Sequence, residues 1–467
     1  MKYIVILIGL FFAFGCAQQD EMRKPNFIII FADDLGYGDL GCYGNAKNRT
    51  PNIDNMAAEG VRFTDFYASS SVCTPSRASL LTGCYPKRIG MDVSSEPVGT
   101  PGRQVLYPMA KKGLNPTEVT IADALKTMGY ATACIGKWHL GDQPEFLPTK
   151  QGFDYFYGIP YSNDMDLEDC PLPLMRNTDI IEAPVQQSNL TQQYTRETIA
   201  FMEGNKDNPF FIYLPHTMVH APLQASTQFK DKSGYGIYAD AVEELDWSTG
   251  KILEYLKSSG LSANTMVIFV SDNGASKHFK GTNAPLRGFK ATSWEGGFRV
   301  PAIFWWPGHI LEGSTTDALS STMDLFPTLC DLSGASLPNA KIDGKSIWPL
   351  LEGQTTESPN NYFNYYQSDQ LMAVRDDDWK LHLPLDSAYD DAFLGTFTKN
   401  RPMALYNMKE DIGEQNDVSS KHPEVVKKLL AEAEIVRKDL GDLNRMGQHT
   451  RLAGMAEHVP ECIGKND

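Results

Sequence analysis

The sequence contains no cysteines spaced as Cys-x-x-Cys, no internal repeat, no low-complexity tract, no excess of basic residues and a single long apolar run. Each absence excludes something. Without paired cysteines or interleaved Cys and His there is neither a zinc finger nor a dithiol redox motif. With 42 Lys and Arg against 58 Asp and Glu, the net charge of −16 argues against nucleic acid and against loose adhesion to anionic membranes. A local group of cations can still override that field for a small anionic substrate. The apolar run, residues 3–14, falls short of the roughly 20 residues needed to span a bilayer.

What that run does suggest is targeting. Lys2 supplies a basic start, the run has the length of a signal-peptide core, and Ala13 and Gly15 precede Cys16 in the manner of a bacterial lipoprotein cleavage site. The expectation is a signal peptide over 1–15, a lipid on Cys16 and a tether over 16–24. That describes an exported protein of the periplasm, the outer membrane or the cell surface, touching the membrane only through its anchor. A plainly cleaved secretory signal is the alternative. Of the eight cysteines, setting Cys16 aside leaves seven. Their pairing cannot be read from spacing, although one or two disulfides suit an exported chain.

At 467 residues the chain is long enough for one large domain and a smaller one. Short apolar runs at 26–34, 131–138, 210–215, 265–274 and 301–307 read as buried strands. Between them "TIADALKTMGY", "YTRETIAFMEGN" and "YADAVEELDWSTGKILEYLKSSG" read as helices, the last with Ala241, Leu245, Trp247, Ile252 and Leu256 near a helical period. Apolar strands alternating with helices predict an α/β fold around a large, mainly parallel sheet flanked by helices. A polar stretch at 350–361 marks a change of composition. Strand-like pieces and the helix "PEVVKKLLAEAEIVRKDLG" follow, giving a domain over 25–355 and a smaller C-terminal α+β subdomain over 356–467.

Two strand candidates end in hard oxygen ligands: 26–32 runs into Asp33-Asp34, and 265–271 into Asp272-Asn273. Open parallel sheets bind ligands at the carboxyl ends of their strands, and this donor set suits Ca2+ or Mg2+ and not zinc. Either dipeptide alone is more often a turn. "GKWHLG" puts Lys137 and His139 on one face if extended, as cations for an oxoanion or as a solvated Lys beside a structural His. "HTMVHAPL" offers His216 and His220, each either a general acid or structural. "LRGFKATSWEGGFRVP" joins glycines to Arg287, Lys290 and Arg299, which suits a ligand-approaching loop or an ordinary surface loop. In "SSVCTPSRASLLTG", Thr74-Pro75-Ser76 look like a helix start, with Cys73 at its positive end and Arg77 one turn along. Residue chemistry leaves Cys73 either a nucleophile or part of a tight helix cap.

Taken together, "NFIIIFADDLGYGDLGCYG", "TPNIDNMAAEGVRFTDFYASSSVCTPSR", "GKWHLG", "SDNG" and "LRGFKATSWEGGFRVP" resemble, in this order, the formylglycine-dependent sulfatases of the alkaline-phosphatase superfamily. "CTPSRASLLTG" matches the family's signature, Cys-x-Pro-Ser-Arg before a small-residue helix and Leu-Thr-Gly, and "LYNMKEDIGEQNDV" with "HPEVVKKLL" resembles its C-terminal subdomain. The resemblance covers roughly residues 24 to 455.

It implies an alkaline-phosphatase-like fold and hydrolysis of sulfate esters, on carbohydrates. By position it assigns Asp33, Asp34, Asp272 and Asn273, together with residue 73, to one Ca2+ per chain. It makes Cys73 the precursor of Cα-formylglycine, formed by a maturation enzyme, whose hydrate attacks sulfur. Arg77 would hold that hydrate, His139 would assist its turnover, and Lys137 and Lys290 would grip the sulfate oxygens. His220, preferred over His216, would protonate the leaving alcohol. Two other expectations stand beside this one: a phosphodiesterase or phosphonate monoester hydrolase of the same superfamily, and a surface lipoprotein that binds sulfated glycans without catalysis. The loops 91–104, 160–173 and 276–287 are expected to choose the sugar.

Overall fold

Val, Ile and Phe at consecutive positions need cover on both faces, and the apolar runs receive it as the middle of a layered sheet. The computed structural model describes residues 23–93, 104–391, 396–443 and 445–465. The leader, Cys16 and most of the 91–104 loop lie outside the described residues. In chain order the main strands are β1 (Asn26–Ala32), β2 (Val61–Phe63), β3 (Ala131–Lys137), β4 (Tyr155–Ile159), β5 (Leu174–Arg176), β6 (Asp179–Glu182), β7 (Phe210–Pro215), β8 (Thr265–Ser271), β9 (Ala302–Trp305) and β10 (Ser314–Thr316). They form one ten-stranded sheet in the order β10-β2-β9-β8-β1-β7-β3-β4-β5-β6. β8, β1, β7, β3 and β4 are parallel neighbours, whereas β9 and β5 run against the strands beside them. The predicted α/β architecture is therefore present, as a mixed sheet with a parallel centre.

Along β1 the side chains alternate between two core layers, Phe27, Ile29 and Phe31 on one side and Ile28, Ile30 and Ala32 on the other. α1 (Pro51–Ala58), α4 (Leu190–Gly204) and α5 (Ile237–Ser258) cover the second layer through Ile53, Leu190 and Leu245. α2 (Cys73–Thr82), α3 (Ile121–Lys126) and α6 (Leu325–Ser333) cover the first through Leu80, Leu125 and Leu329. In α5 the predicted face holds for Ala241, Leu245, Ile252 and Leu256. Trp247 lies off it, half-buried, with its ring 5.8 Å from that of Phe229.

The C-terminal part is an antiparallel sheet of β11 (Phe363–Gln367), β12 (Gln370–Arg375), β13 (Trp379–His382) and β14 (Ala404–Asn407). α7 (Pro423–Leu440) covers it with Val426, Leu429, Ala433, Val436 and Leu440. A buried polar joint ties the two parts: Glu295 accepts from Tyr67 Oη at 2.6 Å and Tyr365 Oη at 2.7 Å, and pairs with Lys380 Nζ at 3.0 Å. Beyond α7 the chain returns to the large domain. Gly454–Met455 pairs with Lys112–Gly113, and Cys462 forms a disulfide with Cys170.

Candidate active site

The strand ends singled out from the sequence converge on one side of the parallel centre. β1 delivers Asp33 and Asp34, β8 delivers Asp272 and Asn273, and β3 ends on Lys137. Gly136 makes the β3–β7 approach possible: with φ at 137°, a Cβ there would lie 1.9 Å from Pro215 O. Asp34, His139 and Ala291 hold left-handed backbone, with φ of 61°, 62° and 66°. Strained non-glycine backbone of this kind gathers where surrounding structure fixes a site.

α2 begins at Cys73 itself, with Pro75 in its first turn and all ten residues buried. Val72 at the N-cap contributes no side-chain bond, so this helix start is left suited to an anion. Cys73 Sγ lies 3.4 Å from Asp33 Oδ1 and 3.4 Å from Lys290 Nζ. Lys137 Nζ pairs with Asp33 Oδ2 at 2.6 Å, and Lys290 Nζ with Asp34 Oδ1 at 2.7 Å. Arg77 Nη2 bridges Asp272 Oδ2 (3.0 Å) and Asp33 Oδ2 (3.3 Å), while its Nη1 donates to Lys137 O at 2.8 Å. Three carboxylates thus face three cations, and all six side chains are buried.

Electrostatics follow from that crowding. Burial opposes ionisation of Asp33, yet Lys137, Arg77, His220 and Lys290 hold its carboxyl well below the usual range. Burial and Asp33 together push the Cys73 thiol well up, so it carries its proton at neutral pH. Burial and then Asp33 raise Asp272 to about 7. Burial with Lys137 and Arg77 holds His139 well below the ordinary imidazole range; burial with Lys290 and Lys137 lowers His220.

The two histidines of "HTMVHAPL" separate. His220 Nε2 lies 3.8 Å from Asp34 Oδ2, and its Nδ1 donates to Asn163 Oδ1 at 3.0 Å. His216 is wholly buried beside Ser248 Oγ (3.3 Å) and the Tyr194 ring, and burial pushes it down to about 3. His139 Nε2 donates to Leu106 O at 2.9 Å, leaving Nδ1 buried with no partner. Two side chains at the site were not singled out from sequence. Ser162 Oγ accepts from Lys137 Nζ at 3.0 Å, and Asn163 orients His220. Both lie in the 160–173 loop, whose entry is set by the β3–β4 pairing; a Ser and an Asn after a strand carry no signal of their own.

The residues fit a hard cation. Ligand atoms of Asp33, Asp34, Cys73 and His220 lie within 4.8 Å of one another. Asn273 Oδ1 is buried without a hydrogen-bond partner, while its Nδ2 donates to Asp34 Oδ1 at 2.7 Å. An orphaned amide oxygen beside carboxylates is what an oxygen-seeking dication satisfies. Asp272 gives Oδ1 to the Asp34 N–H at 3.0 Å and Oδ2 to Arg77.

The sulfatase family model matches residues 25–335, and the model for the C-terminal part of N-sulphoglucosamine sulphohydrolase matches 289–439. Arylsulfatase A of Homo sapiens is 40% identical over 450 residues, covering 87% of this chain and 86% of that protein. N-acetylgalactosamine-6-sulfatase of Mus musculus is 40% identical over 392 residues, covering 79% and 74%. A structure from work on the metabolism of multiple glycosaminoglycans by Bacteroides thetaiotaomicron superposes with a TM-score of 0.78 at 30% identity, covering 89% of this chain and 99% of that one. On this match and this arrangement of residues, the chain belongs to the sulfatase family: it is a sulfuric ester hydrolase on an alkaline-phosphatase-like fold.

Proposed function

We propose that the enzyme cleaves sulfate esters of carbohydrates, using a Cα-formylglycine made from Cys73 and Ca2+ held at the carboxylate cluster. The setting of Cys73 carries this reading: a buried thiol at a helix start, 3.4 Å from both Asp33 Oδ1 and Lys290 Nζ, which burial and the Asp33 carboxylate keep protonated and so a poor nucleophile as a thiol. Asp33, Asp34, Asn273 and residue 73 would hold the ion, with Asp272 beside them, and Ca2+ supplies Lewis-acid polarisation of the nucleophile and of a sulfate oxygen. A formylglycine at position 73, held at the start of α2 beside Asp33 and Lys290, would supply as its hydrate an oxygen nucleophile for sulfur and a second hydroxyl for release of sulfate.

The chain's own residues do the rest. Lys137 and Lys290 put two ammonium groups where negative charge grows on the sulfate oxygens. Arg77, tied to Asp33, Asp272 and Lys137 O, fixes the start of α2 and with it residue 73. His139, its Nε2 committed to Leu106 O, keeps Nδ1 free to accept a proton. His220 is held through Nδ1, so Nε2 is the nitrogen available to the departing alcohol. Burial, and then Lys290 and Lys137, lower His220; the negative charge of a bound sulfate ester beside the two lysines would offset their part of that effect.

The N-acetylgalactosamine-6-sulfatase relative and the glycosaminoglycan-related structure support a sugar substrate. We also infer export with an anchor at Cys16; the leader supports it, and the Cys170–Cys462 disulfide suits an oxidising compartment. Mass spectrometry of the peptide containing residue 73, after co-production with a maturation enzyme, is expected to find an aldehyde in place of the thiol. Chelation by EGTA is expected to abolish turnover and added Ca2+ to restore it. A fully active protein that retains the thiol overturns the formylglycine reading. Release of no sulfate from a panel of regiodefined sulfated sugars overturns the carbohydrate reading, and faster cleavage of matched phosphate esters would favour the phosphodiesterase alternative.

A further inference from the structure

One loop turn from Lys290, two arginines share one tryptophan. Arg287 is exposed and stacks with its guanidinium carbon 3.6 Å from the centre of the Trp294 ring, its Nη1 donating to Glu414 O at 2.8 Å. Arg401 closes the strand Thr396–Arg401 of the C-terminal part and lies 5.8 Å from the same ring. Its Nη1 donates to Ser293 Oγ at 3.2 Å, and its Nη2 is buried without a hydrogen-bond partner. Neither arginine has an ion-pair partner among the described residues. The nearby carboxylate, Glu414, is already committed to His382 Nε2 (2.6 Å), Lys380 Nζ (2.8 Å) and the Glu295 N–H (2.7 Å).

An unpaired buried guanidinium nitrogen beside a second arginine is a costly arrangement that an oxoanion relieves, because the planar fork of arginine matches sulfate and carboxylate oxygens. We propose that Arg287 and Arg401 form a second oxoanion subsite, which takes a sulfate or carboxylate on a neighbouring sugar of a polyanionic glycan while the ester to be cleaved sits at residue 73. The subsite rests on the carbohydrate reading of the active site. Trp294 keeps Arg287 flat, and Ser293 orients Arg401, so the cation pair is built before the ligand arrives. Burial brings Arg401 down to about 10, with Glu414 and Tyr406 opposing the fall and Arg287 adding repulsion. With a net charge of −16 over the whole chain working against polyanions, such a local pair is what allows a highly charged glycan to dock.

Titration calorimetry on the inactive Cys73→Ala background tests this without turnover. Two probes separate the oxoanions: a sulfated dextran oligosaccharide, which carries sulfates only, and a desulfated chondroitin oligosaccharide, which carries carboxylates only. Adding Arg287→Ala and Arg401→Gln is expected to raise Kd for at least one probe roughly tenfold and to leave Kd for 4-nitrophenyl sulfate unchanged. Arg287→Ala alone, an exposed change that leaves the fold intact, is expected to show part of the loss. Failure of the background protein to bind either probe, unchanged Kd for both, or equal weakening of the aryl sulfate overturns the subsite. If polyanions bind through the pair yet no sulfated sugar is hydrolysed by the mature enzyme, the carbohydrate activity fails and the subsite stands.

Discussion

His220 Nδ1 donates to Ala221 O at 2.5 Å and to Asn163 Oδ1 at 3.0 Å, so the backbone carbonyl fixes the tautomer while the tilt of this ring also leans on a neutral amide that touches no substrate. Asn163 is wholly buried, and Gln187 Nε2 donates to its carbonyl at 2.9 Å, making a short chain of supports behind the proton donor. If His220 is the acid, loosening the ring hurts only substrates whose leaving group needs a proton. Asn163→Ala is therefore expected to lower kcat roughly 10- to 100-fold on sugar sulfates, whose alkoxides leave poorly, while changing kcat on 4-nitrophenyl sulfate by less than about threefold. His220→Ala should show the same pattern more strongly. Equal losses on both substrates for Asn163→Ala would mark it as a residue of the fold and nothing more.

Among the elements, the 160–173 loop does the most with the least regular structure. It supplies Ser162 to Lys137 and Asn163 to His220, and a few residues later Cys170 ties it to Cys462 in the C-terminal tail. That disulfide closes a separation of 292 residues, so it removes a large share of the freedom of the unfolded chain. Cys462→Ala is expected to lower folding stability by about 2–5 kcal/mol, read as a shifted denaturant midpoint at unchanged m-value. An unchanged midpoint would mean that the short pairing of Gly454–Met455 with Lys112–Gly113 holds the tail unaided. α2 is a different kind of element: with ten of ten residues buried, it is held by packing on every side, which is how it can present Cys73 without a capping side chain.

Across the whole molecule, buried carboxyls away from the reaction set the response to pH. Burial pushes Asp39, Asp142, Asp246 and Asp324 up to about 6. Because each holds its proton more tightly folded than unfolded, each loses stability as pH rises from about 4 through 6, by roughly 3 kcal/mol at most. Asp65 and Asp439 run the other way. Despite their burial, Arg299 and Arg375 hold Asp65 low, and Arg88, Lys341 and His449 hold Asp439 low, so their contribution is lost as pH falls below about 4. The net charge of −16 adds self-repulsion at neutrality. Thermal midpoints measured in EGTA from pH 3 to 8 are expected to peak between about pH 4 and 6. A maximum at or above pH 7 would refute this account.

Much of this was legible in the chain itself. The apolar runs determined the central strands, since residues such as Phe27 to Phe31 have no stable place except between two covered faces. The acids after β1 and β8, the Lys after β3 and the cysteine before a proline-started helix were visible because each sits in a contiguous segment with its own local signal. What the sequence could not decide was distance. Whether His216 or His220 faces the cluster depends on where the chain after β7 turns. Which cysteines pair depends on a tail that crosses from one part of the molecule to the other. Ser162, Asn163 and the Arg287–Arg401 pair are brought to their partners by packing between segments far apart in the chain. A single polar residue in a loop carries no periodicity and no spacing rule, so only the tertiary structure, by fixing which buried donors and acceptors must satisfy one another, gave those residues a part in the site.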